Sequence, residues 1–315
     1  MLELNVDRAA IHVGPHFTVQ FERTLRIPDD GNTYPLPPSL GAFPIYRVRD
    51  YADRVPEAWN EYGGVFIPMY QREALWLSFG GSDWCPSAVK VAAGHINAVT
   101  GKRMHKKLNR TQQNYLVTPD QPWLDGINAG KGYIRQFVAM PLGGGYTVEE
   151  QLTGKAEFGG LQMIVYAPKE GIFEEPVYEL PCMEEQICAY APSAPEMGLG
   201  AGGKMEQKIY PDEYGVDVWD TSNFGEVYVH IVNSQAFHYI TGHKAPSTPI
   251  SAETYTDYGL PWFRLYDECV RDIAPADTLA QVKTINEVDR AAADEGAVEK
   301  PVELDEKQIV GLDLV

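Results

Sequence analysis

The feature that most restricts this chain is alternation. Phe17, Val19 and Phe21 are apolar, and Thr18, Gln20 and Glu22 between them are polar. That period-two pattern suits an extended strand with one face buried, because successive side chains of a strand point to opposite sides. Leu25 and Ile27 continue it up to Pro28 and the turn Asp29-Asp30-Gly31-Asn32, where glycine tolerates positive φ. Further strands are predicted at 64–69, 74–79, 87–98, 114–118, 133–140, 161–166 and 226–232. Glycine groups separate them at Gly63-Gly64, Gly80-Gly81, Gly143-Gly144-Gly145 and Gly159-Gly160. Short strands between turn signals predict a mainly β fold, a two-sheet sandwich or jelly-roll-like body with short peripheral helices, rather than βαβ units.

Two segments carry helical spacing. Tyr51, Val55 and Trp59 recur every fourth residue after Asp50, and Pro56 between them divides the stretch into two short helices. Pro261 opens the second segment. Trp262, Leu265, Tyr266, Cys269, Val270 and Ile273 then form one apolar stripe at helical spacing, which predicts an amphipathic helix laid across the β core.

Residues 285–315 differ in composition, with nine acids against three bases. Such a run has little to bury and is expected to be mobile, yet it ends in the apolar residues Ile309, Val310, Leu312 and Leu314. The expected organisation is therefore one β-rich body over 1–284 and an acidic tail over 285–315. Its apolar end is a candidate interface, adding a short strand to an exposed sheet edge.

Charge narrows the partners. Lys+Arg number 26 and Asp+Glu 44, a net −18, whereas nucleic-acid binding rests on basic surface that neutralises phosphates. The densest basic cluster, Lys102, Arg103, His105, Lys106, Lys107 and Arg110, reads as a local salt-bridged or solvated patch. Anionic membrane surfaces are disfavoured for the same reason. No stretch approaches the roughly 18 apolar residues of a membrane span, and the opening MLELNVDRAAIHV lacks the pattern of a secretory leader. The four cysteines, Cys85, Cys182, Cys188 and Cys269, are sparse and form no CxxC pair. The expectation is a cytoplasmic protein with reduced thiols, a bridge between Cys182 and Cys188 remaining open.

The runs QPWLDGINAGKGYIRQFVAMPLGGGYTVEEQLTG (121–154) and YTDYGLPWFRLYDE (255–268) resemble a family of uncharacterised microbial proteins. The resemblance extends from about residue 16 to 284. It implies no catalytic or binding residue, only that residues 1–284 form one unit.

Motifs with chemical content were weighed against their surroundings. Gly198, Gly203 and Lys204 fit GxxxxGK, and Gly198, Gly200 and Gly203 fit GxGxxG, but Met205 stands where a phosphate loop needs Ser or Thr. Lacking the strand before and helix after that both motifs need, the run reads as a mobile surface loop. Asp217, Asp220, Asn223 and Glu226 gather oxygens that calcium favours, without EF-hand spacing. His230, His238 and His243 lack zinc spacing and read as structural.

Trp123 with Asp125, Glu149 with Glu150, and Trp219 with Asp220 set carboxylates beside aromatics or glycine turns. Glycoside chemistry needs two such carboxylates in one cleft, and Asp125 with Glu150 is the candidate pair. Trp123, Arg135 and Trp219 are candidate ligand contacts. Arg135 lies in an apolar strand, so its guanidinium must pair with a carboxylate, reach an edge or recognise an anionic ligand. Asp125 is one candidate partner for it.

Three functional expectations result. The first is a non-enzymatic assembly or binding protein acting through sheet surfaces and its C-terminal segment, by self-association into a homo-oligomer or with another protein, and without a cofactor. The apolar tail end and the strand 226–232, apolar on both faces, motivate it. The alternative is a carbohydrate-active enzyme or lectin-like module built on aromatic platforms; a calcium-dependent module ranks third.

Overall fold

The computed structural model describes residues 1–174, 196–265, 271–292 and 301–312. The fold is mainly β. Its principal strands are β1 (Phe17–Thr24), β2 (Val65–Met69), β3 (Ala74–Gly81), β4 (Ser87–Ala93), β5 (Tyr133–Pro141), β6 (Leu161–Pro168), β7 (Glu196–Glu206) and β8 (Trp219–Asn233). Two shorter ones, β9 (Trp262–Leu265) and β10 (Ile309–Leu312), form a separate pair.

An antiparallel ladder runs β1–β3–β5–β7. The end of β7 pairs with β8, which continues antiparallel through β6 to β4. β2 joins β8 in parallel, Val229 opposite Val65. The alternation that predicted β1 now has its cause. Phe17, Val19 and Phe21 meet Leu75, Leu77 and Phe79 of β3 in one buried cluster with Val89 and Val91 of β4, Met163 and Val165 of β6, and Val227 and Val229 of β8. The two ends of the ladder thus close on a common core, as in a sandwich, each large apolar side chain contributing about 1.5–3 kcal/mol.

The opposite face of β4–β6–β8 is not bare. Lys90, Ile164 and Glu226 stand in one cross-strand row, and Ala88, Tyr166 and Phe224 in another. Leu108 and Tyr115, from the connection after β4, pack over this face with Ala88, Ile164, Tyr166 and Trp219.

The helices are short: α1 (Glu57–Tyr62), α2 (Val148–Thr153), α3 (Ser234–Thr241), α4 (Ala252–Asp257), α5 (Asp277–Ala280) and α6 (Ile285–Ala292). The stretch around Pro56 does divide in two, a 3-10 turn at Val48–Tyr51 and then α1. Among the described residues no helix is long and apolar enough to cross a membrane.

Three sequence expectations need correction. Trp262–Leu265 is a strand, parallel to Ile309–Leu312, rather than the first turn of a helix. Trp262 is sealed against Tyr34 and Tyr255, and Phe263 exchanges backbone hydrogen bonds with Leu36. Partners far along the chain outweigh local spacing here. Residues 266–270 of the expected helix lie outside the described residues, as do Cys182, Cys188, Cys269 and Leu314.

The strand 226–232 is apolar on both faces because it is central: β6, β7 and β2 all pair with β8. It is buried rather than an interface, which removes one motive for expecting association.

The Gly-rich run 198–205 is neither a loop nor a phosphate cradle; it lies inside β7, paired antiparallel with β5, and Met197–Gly203 are buried. Its glycines are there for closeness. A Cβ on Gly203 would lie 2.4 Å from the Pro28 carbonyl oxygen, and one on Gly202 would lie 2.7 Å from Val138 Cγ2. Gly203→Ala must move backbone, so a loss of about 1–3 kcal/mol is expected in urea unfolding. An unchanged midpoint would show that β7 adjusts freely.

The segment after residue 284 has two ordered parts. α6 buries Ile285 and Asn286, and Arg72 grips Asp289 through two 2.8 Å hydrogen bonds. Val302 and Leu304 then pack beside Tyr34 and Trp262, leading into β10.

Candidate functional site

Asp125 lies between the two-residue strand Trp123–Leu124 and the strand Gly126–Gly130. Its carboxyl group is only 3% exposed. Gln207 Nε2 donates to Asp125 Oδ2 at 2.7 Å, and the Asp125 backbone N–H donates back to Gln207 Oε1 at 3.1 Å. Burial pushes the carboxyl group up to about 7, against the opposing hydrogen bonds from Trp123 and Gln207. This resembles a catalytic acid in its titration but not in its access, because the group is sealed in the protein.

Glu150 is occupied differently. Thr147 caps α2, and the Glu150 carboxylate closes the reciprocal capping box. It also accepts the backbone N–H groups of Gly143 (2.8 Å) and Gly145 (3.0 Å), fastening the triple-glycine turn to the helix. Glu149 beside it accepts three amides, from Glu157, Phe158 and Gly159. Asp125 and Glu150 thus bind separate sets of partners.

The aromatic candidates are also engaged. Trp219 is 1% exposed, and its Nε1 donates to Asp212 Oδ2 at 3.1 Å. Trp123 is half-buried and packs on the cluster around Tyr34 and Trp262. His230 stacks on Trp59 at 4.6 Å and donates from Nε2 to the Gly63 carbonyl at 2.9 Å. Burial lowers its pKa to about 4.

Of the calcium candidates, Asp220 accepts hydrogen bonds from the Ser222 backbone and hydroxyl, and Glu226 pairs with Lys106 at 2.9 Å. The Asp217 carbonyl takes Lys169 Nζ. Asn223 is half-buried in β8. Among the described residues no group of three His, Cys, Asp or Glu side chains is placed to hold a metal ion.

Arg135 does not reach Asp125. It donates to the Val282 carbonyl oxygen and lies 3.7 Å from Glu287. It lines a cleft of about 190 Å³ with Lys204, Arg290, Asp29, Asp30, Glu287 and neutral residues. The three cations there face three acids, so the charge is balanced from within and does not call for an anionic ligand.

Reading along the chain missed one grouping. Tyr62, His95, Phe158 and Tyr228 come from four separate segments and cluster with ring centroids 4.0–5.6 Å apart, Tyr62 stacked on Tyr228 and the others tilted. No local pattern marks it.

The C-terminal candidates come together as an edge. Among the described residues β10 pairs with β9 on one side only, and β9 is closed on its other side by Leu36. Val310 is 43% exposed and Leu312 38%, while Ile309 is half-buried. Gln308 Nε2 ties the start of the strand to the Thr256 and Leu260 carbonyls, next to exposed Tyr258 and Leu260. Exposed Glu253, Asp257, Glu303, Asp305 and Glu306 belong to the same region, with the bases Lys307 and Arg264, the latter opposite Gly311 and paired with Glu206 at 3.1 Å. No family model, curated protein or solved structure matches this chain.

Proposed function

We propose that the protein is a non-enzymatic binding module whose β10 edge receives an extended, basic-flanked segment of another protein. One observation carries this reading: β10 has an unpaired outer edge among the described residues, with exposed apolar side chains set in an acidic rim. An open strand edge offers backbone N–H and C=O groups to a further strand, and alternate side chains add specificity. The acids select for lysine or arginine beside the incoming strand, and at a net −18 they oppose a second copy of the chain. The occupancy of Asp125 and Glu150 by structural hydrogen bonds supports a binding role over glycoside chemistry. The free, buried Cys85 fits a reducing cytoplasm.

The test is fluorescence anisotropy with two labelled peptides of alternating Val and Thr, one flanked by lysines and one by glutamates. The lysine peptide is expected to bind saturably, more weakly as salt rises, and the glutamate peptide at least about tenfold less well. Val310→Lys with Leu312→Lys, which alters only exposed side chains, should abolish binding. Equal binding of both peptides would overturn the proposal. So would a native dimer that this double variant dissociates, since a second copy would then occupy the edge.

A further inference from the structure

The basic cluster at 102–110, expected to be a salt-bridged or solvated patch, is exposed throughout and sparsely paired. Among the described residues, Lys106 makes its one carboxylate pair, with Glu226. Lys102, Arg103 and His105 line a cavity of about 80 Å³ on the outer face of β4–β6–β8. Lys90, Asn97, Thr100 and Asn114 are its buried residues, and Lys102, Arg103, His105, Asn109 and Gln112 are its exposed ones. Met104 completes it. No Asp or Glu lines it, in a chain where acids outnumber bases 44 to 26.

Lys90 is 1% exposed. Its ammonium donates to the backbone carbonyls of His105 and Lys107, the latter at 2.9 Å, and no carboxylate among the described residues pairs with it. An ammonium carries three N–H donors, so two carbonyls leave one unspent. Burying a cation among neutral dipoles costs several kcal/mol unless a negative charge is supplied, and burial lowers the Lys90 pKa to about 8. Lys102 spends one donor on Gln112 Oε1 at 2.6 Å, and Arg103 forms no ion pair among the described residues. Glu226 is engaged with Lys106, and Glu157 with Lys155.

We propose that this cavity binds a small tetrahedral oxyanion of the phosphate or sulfate class, held by Lys90 at its base and by Lys102 and Arg103 at its mouth. The space suits it, being that of a few water molecules. Charge-assisted N–H···O bonds to three cations supply the negative charge that Lys90 lacks. The contrast with the Arg135 cleft is chemical: there three carboxylates line the space with three cations, and here no carboxylate lines it.

The test uses the whole chain and NMR titration at constant ionic strength with three probes: inorganic phosphate, phenyl phosphate and sodium chloride. Saturable shifts confined to residue 90 and residues 97–114 are expected for phosphate, with none for chloride. Phenyl phosphate distinguishes the source, since saturation by it alone assigns the cavity to the phosphomonoester end of a larger ligand. Arg103→Gln and Lys102→Gln alter exposed side chains, and each should weaken binding about fivefold to tenfold. Lys90→Met should abolish it, and if that variant fails to fold the two rim variants still decide. Absence of saturation by either phosphate, shifts centred on the Arg135 cleft, or unchanged affinity in both rim variants would overturn the proposal.

Discussion

Asp125→Asn is expected to remove a pH-dependent destabilisation that the wild-type protein suffers between about pH 4 and pH 7. The folded carboxyl group titrates near 7 because it is buried, whereas the unfolded one titrates near 3.9. Its folded pKa is raised, so the folded state holds the proton more tightly. Relative to acid conditions, stability falls as pH rises from the unfolded value to the folded one, then levels off. Roughly three pKa units correspond to about 4 kcal/mol. Urea unfolding at both ends of the window measures it. The wild type should lose about that much more than the variant between them, while Asn keeps an oxygen for Gln207 Nε2. Parallel curves for the two proteins would mean that Asp125 is ionised and accommodated when folded.

Glu149→Ala should produce the largest loss among single substitutions at the former catalytic candidates. Its carboxylate takes the N–H groups of Glu157 and Phe158 on Oε1, both at 3.0 Å, and that of Gly159 on Oε2 at 2.8 Å. Glu149 is 2% exposed, and Gly94 leaves it room, since a Cβ there would lie 2.4 Å from Oε2. Truncation leaves buried amides without an acceptor at about 1–3 kcal/mol each, so a total of about 3–5 kcal/mol is expected after partial relaxation. Glu149→Gln keeps one acceptor oxygen and turns an NH₂ toward a remaining amide, so it should fall in between. Chemical denaturation of the three proteins orders them; a loss below about 1 kcal/mol for Ala would mean that water replaces the carboxylate.

Glu149 and Glu150 show why site reading from this sequence went astray. Two acids after a triple glycine suit a cleft as well as a helix start, and only the positions of the surrounding N–H groups distinguish these. The Thr147–Glu150 capping box joins residues three apart, whereas the three amides on Glu149 come from a turn eight to ten residues onward. Arg135 is similar: its need for a partner was clear, but Glu287 and the Val282 carbonyl belong to a segment about 150 residues away.

By itself the sequence determined the class of fold. Period-two burial at Phe17–Phe21 and the glycine punctuation between strands follow from pleat geometry, which is local and so is written in neighbouring residues. It also determined the divided helix around Pro56. Tertiary structure alone decided that Trp262–Leu265 is a strand, because its partner at Ile309–Leu312 lies more than forty residues away. It likewise turned the Gly-rich run into a buried strand, since Gly203 must admit the Pro28 carbonyl, and left Lys90 buried with no carboxylate partner among the described residues. Each of these outcomes depends on which distant groups meet, and no period in the chain records that.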